Sequence, residues 1–187
     1  MTYAPHEYWQ DRGQNYSVSA DTNDEIDNLT NIVKTYVRNG DTILEIGPGY
    51  GRVYQHLVKN RIPAEKFTLC DFVESMRRKC ELLTDVLPDP WDGKTLPYPN
   101  NSFDFVISFS VMLHVPRRDF INHWAENVRV ARRFLYVATY DGPREGLAQH
   151  CFTHRYRDFI SAFGLRVVDE RPFKNGTRVN WLLEKVI

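Results

Sequence analysis

A short apolar strand that runs into three closely spaced glycines constrains this chain more than any other feature. Thr42–Ile46 is an apolar, β-branched run with Glu45 one residue before its end. Gly47, Gly49 and Gly51 follow at alternate positions, and a helical pattern begins directly afterwards. This order predicts a strand, a tight turn and a helix, with a ligand approaching the turn more closely than a Cβ would allow. The amides of the first helical turn would face that ligand.

The spacing of the glycines bears on which cofactor the turn binds. A dinucleotide fingerprint reads G-x-G-x-x-G, whereas this turn reads G-x-G-x-G with an acid upstream. The stretch from Glu45 to Gly51 resembles the first motif of class I S-adenosylmethionine (SAM)-dependent methyltransferases. The resemblance implies that the turn wraps the methionine end of the cofactor, with Glu45, Gly47, Gly49 and Gly51 as binding residues. A generic glycine loop and a nicotinamide oxidoreductase stay open as alternatives.

An acid stands at the end of the next predicted strand. Lys66–Cys70 is apolar enough for a strand, and Asp71 follows it. Two carboxylate oxygens can accept hydrogen bonds from both hydroxyls of a ribose, so Asp71 is predicted to bind the cofactor ribose. A capping role for Asp71 at the next helix is compatible with this prediction. The resemblance further implies that Phe72 packs against the adenine.

A second stretch, Asp92–Asp104, also resembles the methyltransferase family. It contains an acid-small pair, Leu-Pro, a turn, and Phe-Asp opening an apolar strand. The resemblance implies that Asp92 meets the adenine amino group and that the Gly93 backbone lies beside the ring. The strand then continues to Phe109 and Ser110, which we expect to line the cofactor cleft, because open α/β sheets bind ligands beyond the carboxyl ends of their strands.

Three polar side chains are candidates for catalysis. His114 lies one helical turn beyond the fourth strand, and it is the first candidate for a general base. In the family this position often holds a structural histidine, which is the alternative. Asp141 and His150 lie after the predicted fifth strand, Phe134–Thr139, where they could face an acceptor. A base is needed only if the acceptor loses a proton first, as a hydroxyl would.

The N-terminal stretch Pro5–Tyr16 predicts a helix that Gly13 weakens. Tyr8, Arg12 and Tyr16 would share one of its faces. The resemblance implies that an N-terminal aromatic segment folds over the cofactor, so Arg12 and Tyr16 are predicted cofactor contacts. An aromatic helix that only packs against the core is the alternative.

The alternation of strands and helices predicts an α/β fold. The chain ends with two predicted strands, Leu165–Val168 and Arg178–Lys185, around the hairpin dipeptide Asn175-Gly176. We therefore expect a Rossmann-like class I methyltransferase fold: a mixed seven-stranded sheet with its last strand antiparallel and helices on both faces. Residues 1–187 are predicted to form one domain, with a helical cap over 1–40 and the core over 41–187.

Composition limits the partners. Lys plus Arg and Asp plus Glu both number 24 in 187 residues, so no net charge attracts nucleic acid, which is an unlikely partner. Five arginines between positions 117 and 133 leave an anionic substrate or partner open. No apolar run reaches the roughly 20 residues of a membrane span, and three scattered cysteines favour reduced thiols in the cytoplasm. No spacing predicts a metal site, and the oligomeric state is not determined.

The predicted activity is methyl transfer from SAM to a small molecule. Oxygen of a sugar or secondary metabolite is the favoured acceptor, because Ser108–Val111 stands where nucleobase amino-methyltransferases carry a tetrapeptide such as Asn-Pro-Pro-Tyr. A protein or RNA acceptor, and a cofactor-binding partner subunit without its own activity, are the alternatives.

Overall fold

The computed structural model describes residues 3–13, 15–16, 23–141, 147–174 and 176–186. The helices are α1 (Pro5–Gly13), α2 (Asn23–Tyr36), α3 (Arg52–Lys59), α4 (Glu74–Thr84), α5 (Phe120–Val130) and α6 (Tyr156–Ile160). The strands are β1 (Ile43–Ile46), β2 (Phe67–Asp71), β3 (Asp89–Pro90), β4 (Phe103–Phe109), β5 (Ala131–Thr139), β6 (Leu165–Phe173) and β7 (Arg178–Lys185). Short 3₁₀ turns cover Ala64–Lys66, Met112–His114 and Ser161–Phe163.

The seven strands form one sheet in the order β3-β2-β1-β4-β5-β7-β6. Strands β1 to β5 pair in parallel, whereas β7 is antiparallel to both β5 and β6. The predicted mixed sheet with an antiparallel last strand is confirmed. The chain builds outward from β1 to β3 and then returns to β4 on the other side of β1. Such a reversal of strand order opens a crevice at the carboxyl edge.

The central strand β1 is buried on both faces. Its Leu44 and Ile46 belong to a core cluster with Trp124 of α5, while Ile43 belongs to a second cluster with Leu29 of α2. Alternate residues of a strand point to opposite faces, so the two clusters lie on opposite sides of the sheet. Helices cover both faces, as predicted.

Helix α1 packs against α4 at a glycine. A Cβ on Gly13 would lie 2.1 Å from Ser75 Oγ, so a side chain would push the helices apart. The Ser75 hydroxyl donates to the Gln10 carbonyl at 3.0 Å, and Lys79 Nζ donates to the Tyr16 carbonyl at 2.7 Å. The helix ends at Gly13 rather than at the predicted Tyr16.

Two strands start or end differently from the predictions. Strand β5 begins at Ala131, directly after α5 ends, because this chain has no glycine pair to form a longer turn. Strand β6 extends to Phe173 rather than Val168, since β7 pairs with it along its whole length. In the hairpin, Asn175 lies outside the described residues. No helix in the described parts of the chain is long and apolar enough to cross a membrane.

Candidate active site

A cavity of about 1020 Å³ lies at the carboxyl edge of the sheet, under α1. Its walls come from the residues that follow β1, β2, β3 and β4, and from the N-terminal segment. Its volume is at the upper end of ordinary ligand pockets, which span roughly 300–1,000 Å³. Twelve of the predicted site residues line it: Tyr16, Glu45, Gly47, Gly49, Asp71, Phe72, Asp92, Gly93, Phe109, Ser110, His114 and His150.

The glycine turn presents bare backbone to this cavity. Gly47 has φ +65°, and a Cβ there would lie 2.6 Å from Val111 Cγ2. Gly49 has φ +58°, and the nearest atom to a Cβ would be Met76 Sδ at 4.0 Å. The space beside Gly49 is therefore open to a ligand. Gly51 differs from both, because it does not line the cavity and packs against Cys80 of α4.

Asp71 joins the glycine turn to the end of β2. Its Oδ2 accepts the Gly49 N–H at 3.1 Å, and its Oδ1 accepts the Val73 N–H at 2.9 Å. Each oxygen keeps lone-pair capacity for a further donor. Burial raises the pKa of Asp71 to about 6, although the backbone donors oppose that shift. The side chain is thus mostly ionised at neutral pH and is fixed in place for a ligand hydroxyl.

Glu45 supplies an unsatisfied buried acceptor beneath the turn. It is 2% exposed, and its Oε2 has no hydrogen-bond partner among the described residues. Burial raises the pKa of Glu45 to about 8, against the opposing charge of Arg52 and a hydrogen bond from the Tyr54 backbone. A cationic group brought into the cavity would favour the ionised form. These features fit the amino group of an amino-acid moiety such as that of SAM.

The opposite end of the cavity has an aromatic wall. Phe72 lies edge-on to Trp91 with 6.0 Å between ring centroids, and a Cβ on Gly93 would lie 3.4 Å from the Phe72 ring. Asp92 is exposed on the rim, where its Oδ1 accepts the amides of Lys94 and Thr95, each at 2.8 Å. These bonds lower the pKa of Asp92. A flat ring fits against Phe72, beside the Gly93 backbone.

Two histidines form the wall nearest α1. His114 Nδ1 donates to the His150 carbonyl at 2.9 Å, which leaves the lone pair on Nε2. The Trp9 ring meets His114 edge-on at 4.7 Å, and the Tyr8 hydroxyl is 2.8 Å from His150 Nδ1. Burial lowers the pKa of His114 to about 4 and also lowers the pKa of His150. Both rings are neutral at pH 7, so either can accept a proton.

The same histidines lie near Cys151. One ligand atom from each of the three residues falls within a 4.8 Å span. The two imidazoles, however, stack with centroids 5.3 Å apart and an angle of 23° between planes. Lone pairs lie in the ring planes, and the planes of these two rings are nearly parallel. The arrangement therefore suits proton transfer better than shared coordination of a cation.

A buried ion pair supports the cavity wall beyond β4. Arg178 Nε donates to Glu25 Oε2 at 2.9 Å, and Arg178 Nη2 donates to Ser110 Oγ at 2.7 Å. Arg178 and Glu25 side chains are 6% and 2% exposed. Ser110 has φ +61°, a left-handed conformation that non-glycine residues adopt at an energetic cost. Phe109 lies under the guanidinium, 6.0 Å away.

Two further predicted residues do not reach the cavity. The Arg12 guanidinium lies over the Tyr8 ring at 4.5 Å, and the residue is exposed. Asp141 is 3.7 Å from Arg157 Nε and forms an isolated bridge with His154. Their positions give no support to the predicted cofactor contact of Arg12 or the catalytic role of Asp141.

The arginines between 117 and 133 are mostly committed to structural ion pairs. Arg129 binds Glu126 at 2.6 Å, Arg132 binds Asp104 at 2.9 Å, and Arg133 binds Asp41 at 2.9 Å. A basic patch for an anionic substrate or partner would have to form without these three arginines.

Sequence reasoning missed the Glu25–Arg178 pair and the contact of Trp9 with His114. Glu25 and Arg178 are 153 positions apart, and each looks like an ordinary charged residue in its own element. The one available signal was an arginine at the start of strand β7, next to its apolar residues. Trp9 belongs to the predicted aromatic segment, but the direction of its side chain depends on how α1 packs against the rest of the chain.

Residues 44–135 match the profile of a family described as "Methyltransferase domain". No curated protein matches the sequence. Among solved structures, magnesium protoporphyrin IX methyltransferase from Synechocystis PCC 6803 with bound SAM is 13% identical, with a TM-score of 0.71, and the alignment covers 98% of each chain. A SAM-dependent methyltransferase from Aquifex aeolicus is 16% identical, with a TM-score of 0.67, covering 99% of this chain and 100% of that one.

The cyclase SpnF has the same fold, with 14% identity, a TM-score of 0.70, and coverage of 92% of this chain and 85% of that chain. At such identities the structures establish a shared fold, which can support more than one chemistry. Residues 44–135 therefore match a methyltransferase domain, and the strand order is that of the fold these structures share. The predicted fold is confirmed, and the domain match supports the family that the glycine turn predicted.

Proposed function

We propose that this protein transfers a methyl group from SAM to oxygen of a small-molecule acceptor. The observation that carries the proposal is the arrangement of Gly49, Asp71 and Glu45. An open backbone, a fixed carboxylate and an unpaired buried acceptor face one cavity. In chemical type, the open backbone at Gly49 matches the methionine backbone of SAM, Asp71 matches the ribose hydroxyls, and Glu45 matches the amino group.

The binding roles follow the order of the strands. Gly47 and Gly49, after β1, would hold the methionine end with Glu45 below it. Asp71, after β2, would accept the ribose hydroxyls. Phe72, Gly93 and the rim residue Asp92 would hold the adenine, and Tyr16 would close the cavity from the side of α1. When bound, SAM supplies an electrophilic methyl on a sulfonium, and transfer to a nucleophile leaves a neutral thioether.

The acceptor would occupy the rest of the cavity, beyond β4. Phe109 and Ser110 form its floor, and His114 and His150 form a wall. An attacking hydroxyl forms the new C–O bond, and its proton passes to a neutral imidazole nitrogen. The low pKa of His114, about 4, keeps the ring unprotonated but makes it a weak base. His150, paired with Tyr8, is the second candidate for this role.

The chain's other properties fit a cytoplasmic enzyme of one domain, residues 1–187, with a cap formed by residues 1–40. Cys70, Cys80 and Cys151 are free thiols, as expected in a reducing compartment. The formal net charge of zero disfavours a nucleic-acid acceptor.

The test is transfer of label from methyl-labelled SAM by the purified chain to a panel of small hydroxyl and amino compounds. We expect label in one or more hydroxyl compounds, and reduced kcat in His114→Gln or His150→Gln with little change in affinity for S-adenosylhomocysteine (SAH). Label confined to amino compounds would contradict the oxygen acceptor. SAH binding without transfer to any compound would favour a partner subunit.

A further inference from the structure

The cavity beyond β4 contains a buried guanidinium that the methyl-transfer chemistry does not use. Arg178 lines this end of the cavity although its side chain is 6% exposed. Nε is bound to Glu25 and Nη2 to Ser110, whereas Nη1 donates to no described residue. The two existing bonds hold the guanidinium at a fixed angle, so little side-chain freedom is lost when it binds a ligand.

The surrounding residues orient this group toward the ligand space. Phe109 lies 6.0 Å and Tyr140 5.6 Å from the guanidinium carbon, each measured to the ring centroid. Ser110 keeps its left-handed conformation, φ +61°, while it accepts the bond from Arg178. Backbone strain persists where the surrounding structure requires it, and it is concentrated at functional sites.

The charge at this end of the cavity is unbalanced. Arg178 and Lys174 line the cavity there, and Glu25 is the one carboxylate bound to Arg178 among the described residues. The two histidines at this end are neutral, because burial lowers their pKa values. A neutral acceptor would bring no negative charge to Nη1 of Arg178 or to Lys174.

We propose that the methyl acceptor carries a carboxylate, which binds to Nη1 of Arg178 with Lys174 at the edge of the site. This inference rests on the proposed function and specifies its substrate class. A singly charged carboxylate fits better than a phosphate, because Glu25 already offsets part of the charge of Arg178. Charge-assisted hydrogen bonds to a guanidinium are stronger than neutral ones. Arg178 is then a specificity-determining residue, and Glu25 and Ser110 are positioning residues.

The test uses two pairs of probes of nearly equal size in which a neutral amide replaces the carboxylate: 4-hydroxybenzoate against 4-hydroxybenzamide, and 4-hydroxyphenylacetate against 4-hydroxyphenylacetamide. Calorimetry measures their binding to the full chain saturated with SAH. We expect at least one carboxylate to bind about tenfold or more tightly than its amide, as one charged hydrogen bond implies. Lys174→Gln, an exposed position, should reduce that preference severalfold.

Substituting Arg178 alone would leave Glu25 unpaired in the core, so the informative variant is the double change Glu25→Leu with Arg178→Met. It should still bind SAH and should lose the preference for carboxylates. Lys59→Gln, which removes an exposed lysine on α3 outside the cavity, controls for net charge and should keep it.

The outcomes separate the two proposals. No binding of SAH by the unaltered chain would overturn the proposed function itself. A second outcome is that the chain binds SAH but binds neither carboxylate more tightly than its amide, or binds no carboxylate at all. That result would overturn the carboxylate acceptor and leave the proposed function standing. Retention of the preference in the double variant would overturn the role of Arg178.

Discussion

At the scale of single residues, the site depends on two buried carboxyl groups whose surroundings favour different states. Asp71 accepts two backbone N–H bonds and has a pKa of about 6, whereas Glu45 has one unpaired oxygen and a pKa of about 8. Desolvation raises both pKa values, and backbone donors offset more of the shift at Asp71. Both groups can therefore gain charge when a ligand supplies donors.

Binding of SAH should weaken in acid because of Asp71. Ribose hydroxyls donate to the ionised carboxylate, so below its pKa of about 6 binding must displace a proton. We expect the dissociation constant to rise as the pH falls from 7.5 to 5, approaching about tenfold per pH unit. Asp71→Asn should bind weakly with a flat pH profile, whereas Asp85→Asn, at an exposed position, should behave as the unaltered chain does. A flat profile in the unaltered chain, measured by calorimetry, would contradict the role of Asp71.

Glu45 should affect the pH dependence of stability. Its folded-state pKa of about 8 lies above the ordinary value of 4.5, so the folded protein keeps a proton that the unfolded chain releases. Stability from this group is present below pH 4.5 and is lost as pH rises toward 8. Between pH 6.5 and 8, urea denaturation of the ligand-free chain should show a loss of about 1–2 kcal/mol. In Glu45→Gln this loss should disappear; an equal loss in both proteins would show that other groups cause it.

At the scale of secondary-structure elements, α1 completes the cavity by packing on α4. The contact requires glycine at position 13, and it brings Trp9 against His114 and Tyr8 against His150. The helical spacing of this segment was recognisable in the sequence. Its docking was not, because the contacts depend on residues more than 60 positions away.

Gly13→Ala should displace α1, because the added Cβ would lie 2.1 Å from Ser75 Oγ. We expect a severalfold loss in affinity for SAH and a shift in tryptophan fluorescence as Trp9 becomes exposed. Asp11→Ala, at an exposed position of the same helix, should change neither. Unchanged affinity in Gly13→Ala would mean that α1 does not contribute to the cofactor site.

At the scale of the whole molecule, the sequence predicts the sheet well and the acceptor site poorly. The strand and glycine turn at 42–51 and the acid at 71 specify local geometry that every strand-turn-helix unit of this kind must satisfy. They could therefore be identified from the sequence alone. Arg12, Gly51 and Asp141 were placed by position alone, and their directions depended on tertiary packing. The Glu25–Arg178 pair joins α2 to β7 across the fold, and no local pattern indicates it.

The Glu25–Arg178 pair should make a large contribution when only one partner is removed. Glu25→Ala leaves a buried guanidinium without its counter-charge, which we expect to destabilise the chain by about 3–5 kcal/mol. Glu25→Leu with Arg178→Met, which removes both charges, should recover much of that loss. Denaturant titration measures both, and a loss below about 1 kcal/mol in Glu25→Ala would show that the pair is not buried in solution.

The central claim is that the glycine turn and Asp71 bind SAM and not a dinucleotide. Calorimetric titration of the purified chain with SAH and with NADH tests it most directly, with Asp71→Ala as the control. We predict that SAH binds, that NADH binds far more weakly, and that Asp71→Ala loses SAH. Tighter binding of NADH, or full SAH affinity in Asp71→Ala, would contradict the account.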